Sequence, residues 1–284
     1  MERQDHLSHI DRHVVLCNCN EKVKTIVEEL HRGSQNPIDI VLIIQDRDLW
    51  ETNPLWRPDS FVNHHFHTIE GCPTNKNTLR RAHIERARSA IILADPRHGE
   101  FADAQSTLIA LAIEYNNPQV HTVIELIDSN NRIHLNATKI DEVVCHGEIT
   151  EKLIAQSCIT PGIKNIFEHL LSSNPGSNQI VLPPLPCHWR GHTYREIART
   201  IIRSGAPCIL CGFIQNLPHH ADKSHEHSPR KKNIVLNPKA GYEPGKDAVL
   251  QEGDQLILIA HSLTKMTFVN RESILPDNIE WEKS

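Results

Sequence analysis

The sequence predicts an α/β fold: a parallel sheet with helices on both faces, then a helical crossover, then a smaller, mainly β (α+β) carboxyl-terminal lobe. Three observations carry this. The stretch Arg12 to Asp46 runs as a short apolar segment, a polar turn, a helical segment and a second apolar run ending in an acid. Strand and helix patterns then alternate as far as residue 147, which is the signature of a parallel three-layer domain. From Glu148 the pattern changes to two short helices and then to short strands.

Val14, Val15 and Leu16 are continuously apolar, as suits a strand covered on both faces. Val23, Ile26, Val27 and Leu30 recur at the spacing of a helix lying on that sheet. Ile40 to Ile44 form the second strand, ending at Gln45 and Asp46. Asp48 to Ser60 is expected as a long surface loop, with Trp50 and Trp56 covering the protein's own core. Phe61 to Ile69 is the third strand, and Thr74 is expected to cap a helix with Leu79, Ala82 and Ile84 inward. Ala90 to Ala94 is the fourth strand, with Asp95 at its end. The helix Phe101 to Tyr115 is expected to turn Leu108, Leu111, Ala112 and Tyr115 inward. Val120 to Ile127, carrying Glu125, and Val143 to Cys145 complete the sheet.

The expected division is therefore 12–147 for the parallel lobe, 148–178 for the crossover and hinge, 179–270 for the second lobe and 271–284 for a tail without pattern. In the crossover, Glu148 to Cys158 and Ile163 to Leu171 are broken by Pro161 and Gly162. Leu153, Ile154, Ile163, Ile166, Phe167 and Leu170 make both helices apolar on one side. They suit an internal hairpin or the same pair in a second subunit equally well. Ser172 to Ser177 is a polar hinge. The second lobe offers strands at Ile180–Leu182, Ala206–Ile214, Asn233–Leu236 and Gln255–Ala260, with a helix at Tyr194–Ile202.

Composition narrows the function classes. With 284 residues and 39% apolar content the chain can build two compact cores. No apolar run approaches the roughly 18 residues that span a bilayer, and Glu2, Arg3, Asp5 and His6 are too polar for a signal peptide. A net charge of -5 argues against a nucleic-acid surface, and Arg230-Lys231-Lys232 is an isolated basic cluster with no helix-turn-helix pattern. Cys17, Cys145 and Cys208 lie in apolar surroundings, as reduced core cysteines of a cytosolic protein do.

Candidate chemistry gathers after the first strand. Asn18, Cys19 and Asn20 stand where a nucleotide-binding turn carries its glycines, and asparagine tolerates left-handed backbone. Backbone N–H groups at the following helix start can hold an anion, opposed by Glu21, and Asp46 has the offset of a ribose-binding acid. In His64-His65-Phe66-His67 the strand period puts His65 and His67 on one face, a metal site if a third ligand arrives. His219, His220, His225 and His227 form a second group in a polar loop. Cys208 and Cys211 face opposite sides of a strand, whereas Cys17 and Cys19 share a face if the first strand extends that far. Tyr242 and Lys246 have the spacing of a reductase pair, but the intervening Glu243, Pro244 and Gly245 prevent the helix it needs.

Three segments resemble the cytoplasmic RCK (TrkA-type) domains that regulate potassium channels and transporters, as in the gating rings of calcium-gated potassium channels. His13-Val-Val-Leu-Cys17 with its polar turn is similar to the family's first strand. Glu70-Gly-Cys-Pro-Thr74, Leu79-Arg-Arg-Ala82, Ala87-Arg-Ser-Ala90 and Ile91-Ile-Leu-Ala94 resemble its G-D-P-T, L-x-x-A and A-R-A-V-I motifs. Leu250-Gln-Glu-Gly253-Asp254-Gln-Leu256-Ile257-Leu-Ile259 resembles its closing G-D-x-L-I-x-I segment.

The resemblance implies a Rossmann-like lobe and a non-enzymatic sensor that works as a dimer within a ring, often of eight copies. That ring acts at the inner face of the membrane on a potassium pore in the same full-length chain or a separate one. It places a pocket for an adenine nucleotide or NAD at Asn18, Asn20, Glu21, Asp46, Arg47, Cys72 and Asp95. The calcium site of some relatives falls on Cys72 and Glu125, with Ile127 beside it; a thiol there favours zinc over calcium. The rival classes are an NAD-dependent oxidoreductase and a structural ring subunit that binds nothing.

Overall fold

The computed structural model describes residues 7, 9–34, 36–57, 65–135, 138–174, 176–216, 233–238, 247–261, 266–268 and 279–281. The loop histidines 219–227, His64, Tyr242, Lys246 and the 230–232 basic cluster lie outside them. By its contacts the chain divides into two compact units between Ile163 and Lys164, inside the stretch expected as the crossover.

The first unit is built from β1 (Val14–Cys17), α1 (Val23–Arg32), β2 (Ile40–Ile44), α2 (Arg47–Thr52), β3 (Phe66–Glu70), α3 (Lys76–Arg81), β4 (Ser89–Ile92), α4 (Ala102–Asn116), β5 (His121–Leu126), β6 (Glu142–Cys145) and α5 (His146–Ile159). Its six strands are parallel in the order β3-β2-β1-β4-β5-β6. The chain steps outward from β1 to β3, returns, and steps outward again from β4, so the switch point lies between β1 and β4.

Both faces of this sheet are buried, which explains the unbroken apolar runs. Val15, Cys17, Val41 and Ile43 pack with Leu79 and Ile109 on one side; Val14, Leu16, Ile40 and Leu42 pack with Val23 and Trp50 on the other. Gly71 closes β3 at φ +154°, where a Cβ would stand 2.5 Å from the Thr78 hydroxyl oxygen, so the motif turn needs a residue without a side chain.

Four local expectations are corrected. The loop expected over 48–60 begins as helix α2, because the Asp46 carboxylate accepts the Leu49 N–H (2.9 Å) and Arg47 pairs with Glu51 one turn on. Trp50 of that helix is buried, and Trp56 packs partly against the same core. Asn75, not Thr74, caps α3, accepting from the Asn77 N–H. In α4 the buried residues are Ala102, Asp103, Ser106, Ile109, Ala110 and Ile113, while Leu108, Leu111 and Tyr115 (79% exposed) face outward. This helix is apolar around most of its circumference, so periodicity does not select a face; the sheet takes the stripe whose small residues allow close approach. Finally, the expected tail contains a strand, β12 (Ile279–Trp281), paired antiparallel with β11 (Met266–Phe268).

The second unit contains α6 (Ile163–Leu171, all but its first residue), β7 (Asn178–Val181), α7 (Tyr194–Arg203), β8 (Cys208–Gln215), β9 (Asn233–Leu236), β10 (Gln255–His261) and the β11–β12 pair. The four-stranded antiparallel sheet has the order β7-β10-β8-β9. Its core face packs Phe213, Leu256 and Leu258 against Ile197 and Ile201 of α7. That helix starts at a complete capping box between Thr193 and Glu196. The described residues of α5 and α6 leave Ile149, Ile154, Ile159, Ile166, Phe167 and Leu171 exposed.

Candidate functional site

The carboxyl ends of β1, β2 and β4 meet at the switch point, where ligands of doubly wound sheets bind. Asn18 leaves β1 at φ +66°, the left-handed conformation the missing glycine would have supplied. Its amide donates to the Leu93 carbonyl (2.8 Å) and accepts from Gln45 (3.0 Å). The Asn20 amide donates to the Ala94 carbonyl (3.0 Å), and its oxygen accepts the Lys22 N–H (3.0 Å). Both asparagines are almost wholly buried. They bolt the turn after β1 to the end of β4, and the price is that a helix-start N–H which could hold an anion is already bound.

Across the crevice lies a group that the sequence reading missed. Arg97 donates to both carboxylate oxygens of Asp95, through Nε to Oδ1 (2.9 Å) and Nη2 to Oδ2 (2.6 Å), and through Nη1 to Asp46 (3.3 Å). Burial disfavours a charged Asp95, but the Arg97 hydrogen bonds and charge outweigh it and hold its pKa below the usual carboxylate range. The Asp46 end is half exposed and therefore weak. The signal available in the sequence was Asp95-Pro96-Arg97 itself, since an aspartate before a Pro-initiated turn accepts the N–H two residues on, as Asp95 does.

Glu125 is committed in the same way. One oxygen pairs with Lys22 (2.5 Å) and the other accepts the Ala94 N–H (3.1 Å). The structure thus brings Asn18, Asn20, Asp46, Asp95 and Glu125 into one network. Arg47 is not part of it: it turns to Glu51 (2.8 Å) and toward Glu70 (4.0 Å). Glu21 is exposed, and the Cys72 thiol contacts the Thr74 hydroxyl (3.0 Å).

The candidate metal ligands each face another partner. Among the described residues no group of three or more histidines, cysteines or acids is arranged to hold a metal ion. With Glu125 held by Lys22 and Cys72 turned to Thr74, the position lacks both calcium's oxygens and zinc's ligand set. His65 binds Asp39 (2.9 Å) and His67 lies 3.8 Å from the same oxygen, at the amino ends of β2 and β3, away from the crevice. Cys17 and Cys19 pack into opposite layers because the left-handed Asn18 lies between them. Burial pushes both thiols up to about 12, which leaves them without nucleophilic character.

Nor do these residues, as arranged, fit a dinucleotide held at the helix start. The Asn20 side chain caps the turn, Asp46 is shared between the Leu49 N–H and Arg97, and the cation nearest the crevice is clamped between two acids.

The strand order and the placement of the crevice define a doubly wound α/β fold. Residues 9–124 match the family model for the calcium-activated potassium channel slowpoke-like RCK domain. That segment, less than half of the chain, is what is similar to RCK domains. The chain is similar to the calcium-gated potassium channel TvoK of Thermoplasma volcanium, 25% identical over 177 residues that cover 61% of this chain and 47% of that one. It is also similar to potassium channel subfamily U member 1 of Rattus norvegicus, 27% identical over 190 residues, 60% of this chain and 17% of the relative. The chain thus spans less than half the length of these relatives. The human SLO3 gating ring has the same fold, with a TM-score of 0.59 and 17% identity over 87% of this chain and 44% of that one. No helix among the described residues is long and apolar enough to cross a membrane.

Proposed function

We propose that this chain is a ligand-sensing regulatory domain that controls potassium conduction by changing the shape of a ring of copies at the cytoplasmic face of a membrane. Supporting this is the match of residues 9–124 to a channel RCK-domain model and the similarity of the chain to two potassium channels. The observation that carries the reading is the Asp46–Arg97–Asp95 latch across the switch point, at the place where this fold class binds ligands. A ligand does work on a pore only through its preference for one conformation over another. A ligand that takes Arg97 from Asp46, or the two acids from Arg97, has that preference built in.

Pairing of copies is supported by the apolar surface left on α5 and α6 within residues 148–178, and by Leu108, Leu111 and Tyr115 of α4. The dimer and the octameric ring belong to this proposal, as does a pore in the full-length chain or on a separate one. A second reading, a structural ring subunit that binds nothing, is favoured by the saturation of Asn18, Asn20 and Glu125 within the chain.

Titration calorimetry with ADP, NAD and calcium, on the wild type and Arg97→Ala, separates the two. Heat with any one of them that changes in Arg97→Ala supports sensing at the latch; none with any leaves the structural reading. Turnover of a nicotinamide cofactor would overturn both.

A further inference from the structure

The geometry points to a second binding site, separate from the switch point: the outer edge of β3 accepts an extended, acidic peptide strand of a partner protein. β3 is an edge strand, and among the described residues it pairs only with β2. The Gly71 N–H points inward to the Ile44 carbonyl (2.9 Å), so the two-residue alternation of a strand turns the backbone groups of Phe66, Thr68 and Glu70 outward. The Glu70 carbonyl confirms this direction, because Arg81 of α3 reaches around the edge to bind it (3.0 Å). The edge groups of Phe66 and Thr68 therefore form a template for another strand.

The same three residues line two cavities on opposite faces of the edge. One, of about 890 Å³, opens toward α3 and is rimmed by Arg47, Arg80, Arg81 and His83. The other, of about 350 Å³, opens toward α2 and is rimmed by Arg47, Trp50, Glu51 and Arg57. A strand added at this edge sends alternate side chains to the two faces, one into each cavity, which is the geometry of peptide recognition by β-augmentation.

Charge selects the occupant. Four arginines face two glutamates, Glu51 and Glu70, on a chain whose net charge is -5. Arg80 has no ion pair among the described residues. A second copy would bring the same cations against this edge, so pairing of two β3 edges is disfavoured, whereas glutamate or aspartate at alternate positions of a partner strand meets the arginines. The backbone template distinguishes a strand from a diffuse anionic surface, which needs no aligned donors.

The test is fluorescence polarisation on the full chain with a labelled synthetic peptide alternating glutamate and valine. Binding is expected to weaken at least about tenfold in Arg80→Glu/Arg81→Glu and with rising salt. Thr68→Pro is expected to lose binding while keeping its melting temperature, since an edge proline removes an outward donor and no sheet bond; Thr68→Val is expected to bind as wild type. Hydrogen exchange on the wild type supplies the same readout without a variant: the amides of 66–70 slow when peptide is added. Equal binding of a lysine–valine peptide, unchanged exchange at 66–70, or binding to phosphatidylserine vesicles in place of the peptide would overturn the inference.

Discussion

The two lobes solve the burial problem differently. In the first, the central strands β1 and β2 are covered on both faces, and every residue of both is buried. In the second, among the described residues, one helix packs on one face of the four-stranded sheet, and the other face shows Ile180, Ile209, Ile234 and Leu236. Ile259 stands in register with both Ile180 and Ile209, so these three form one apolar row across three strands. A sheet covered on both faces holds its own stability. A sheet covered on one face, with apolar residues on the other, is a domain that keeps a surface for something else.

The largest expected effect tests that contrast directly. Ile43→Ala or Ile92→Ala is expected to cost about 3 kcal/mol, the ordinary penalty for a large-to-small change at a fully buried site. Ile209→Ala, 65% exposed, is expected to cost less than about 0.5 kcal/mol. Urea titration of the three proteins measures both, and a cost at Ile209 equal to that at Ile43 would mean the open face is covered.

Next is the latch. Arg97→Ala leaves the buried Asp95 carboxylate with one backbone N–H and, 3.8 Å away, His98 as partners at that turn, and is expected to cost about 2 kcal/mol. Asp46→Asn touches the exposed end and is expected to cost well under that. Thermal melts of the pair rank the two ends.

A smaller effect follows from titration. Burial lowers the pKa values of His13, His31 and His67 in the folded state. The unfolded chain therefore binds more protons as pH falls below about 6.5, so this stability is present above that pH and is lost below it. The depressed Asp95 acts in the same direction at lower pH. Melting temperature is expected to fall between pH 7.5 and pH 5.5, and His67→Leu is expected to flatten that fall. All of these histidines lie in the first lobe, so a pH-dependent loss of the second lobe alone would break the comparison.

Ile154→Asp and Phe167→Asp are expected to have the smallest effect on stability, below about 0.5 kcal/mol in the isolated chain, because both side chains are exposed. Light scattering is expected to show a lower assembly mass for both.

Much of the first lobe was legible because its strands are buried on both sides, and such strands announce themselves as continuous apolar runs. Val14–Cys17 and Ile40–Ile44 fell within one residue of their expected limits. Asn18 was legible too, since few residues other than glycine take its backbone conformation. The inward face of α4 was not, because Leu108 and Ile109 are equally apolar and only the sheet distinguishes them. Arg97 was missed for a related reason: a surface arginine becomes half of a latch only when a turn carries it back over two acids from different strands.

By itself the sequence determined the alternation of strands and helices along the first sheet, its parallel class and the left-handed turn after β1. Those follow from local periodicity and backbone sterics, which act over a few residues. Only the tertiary structure decided which acids share a cation, which apolar stripe of α4 is hidden and which strand stands at the edge of the sheet. Each of these depends on what a distant segment brings alongside, and neither residue type nor spacing encodes that neighbour.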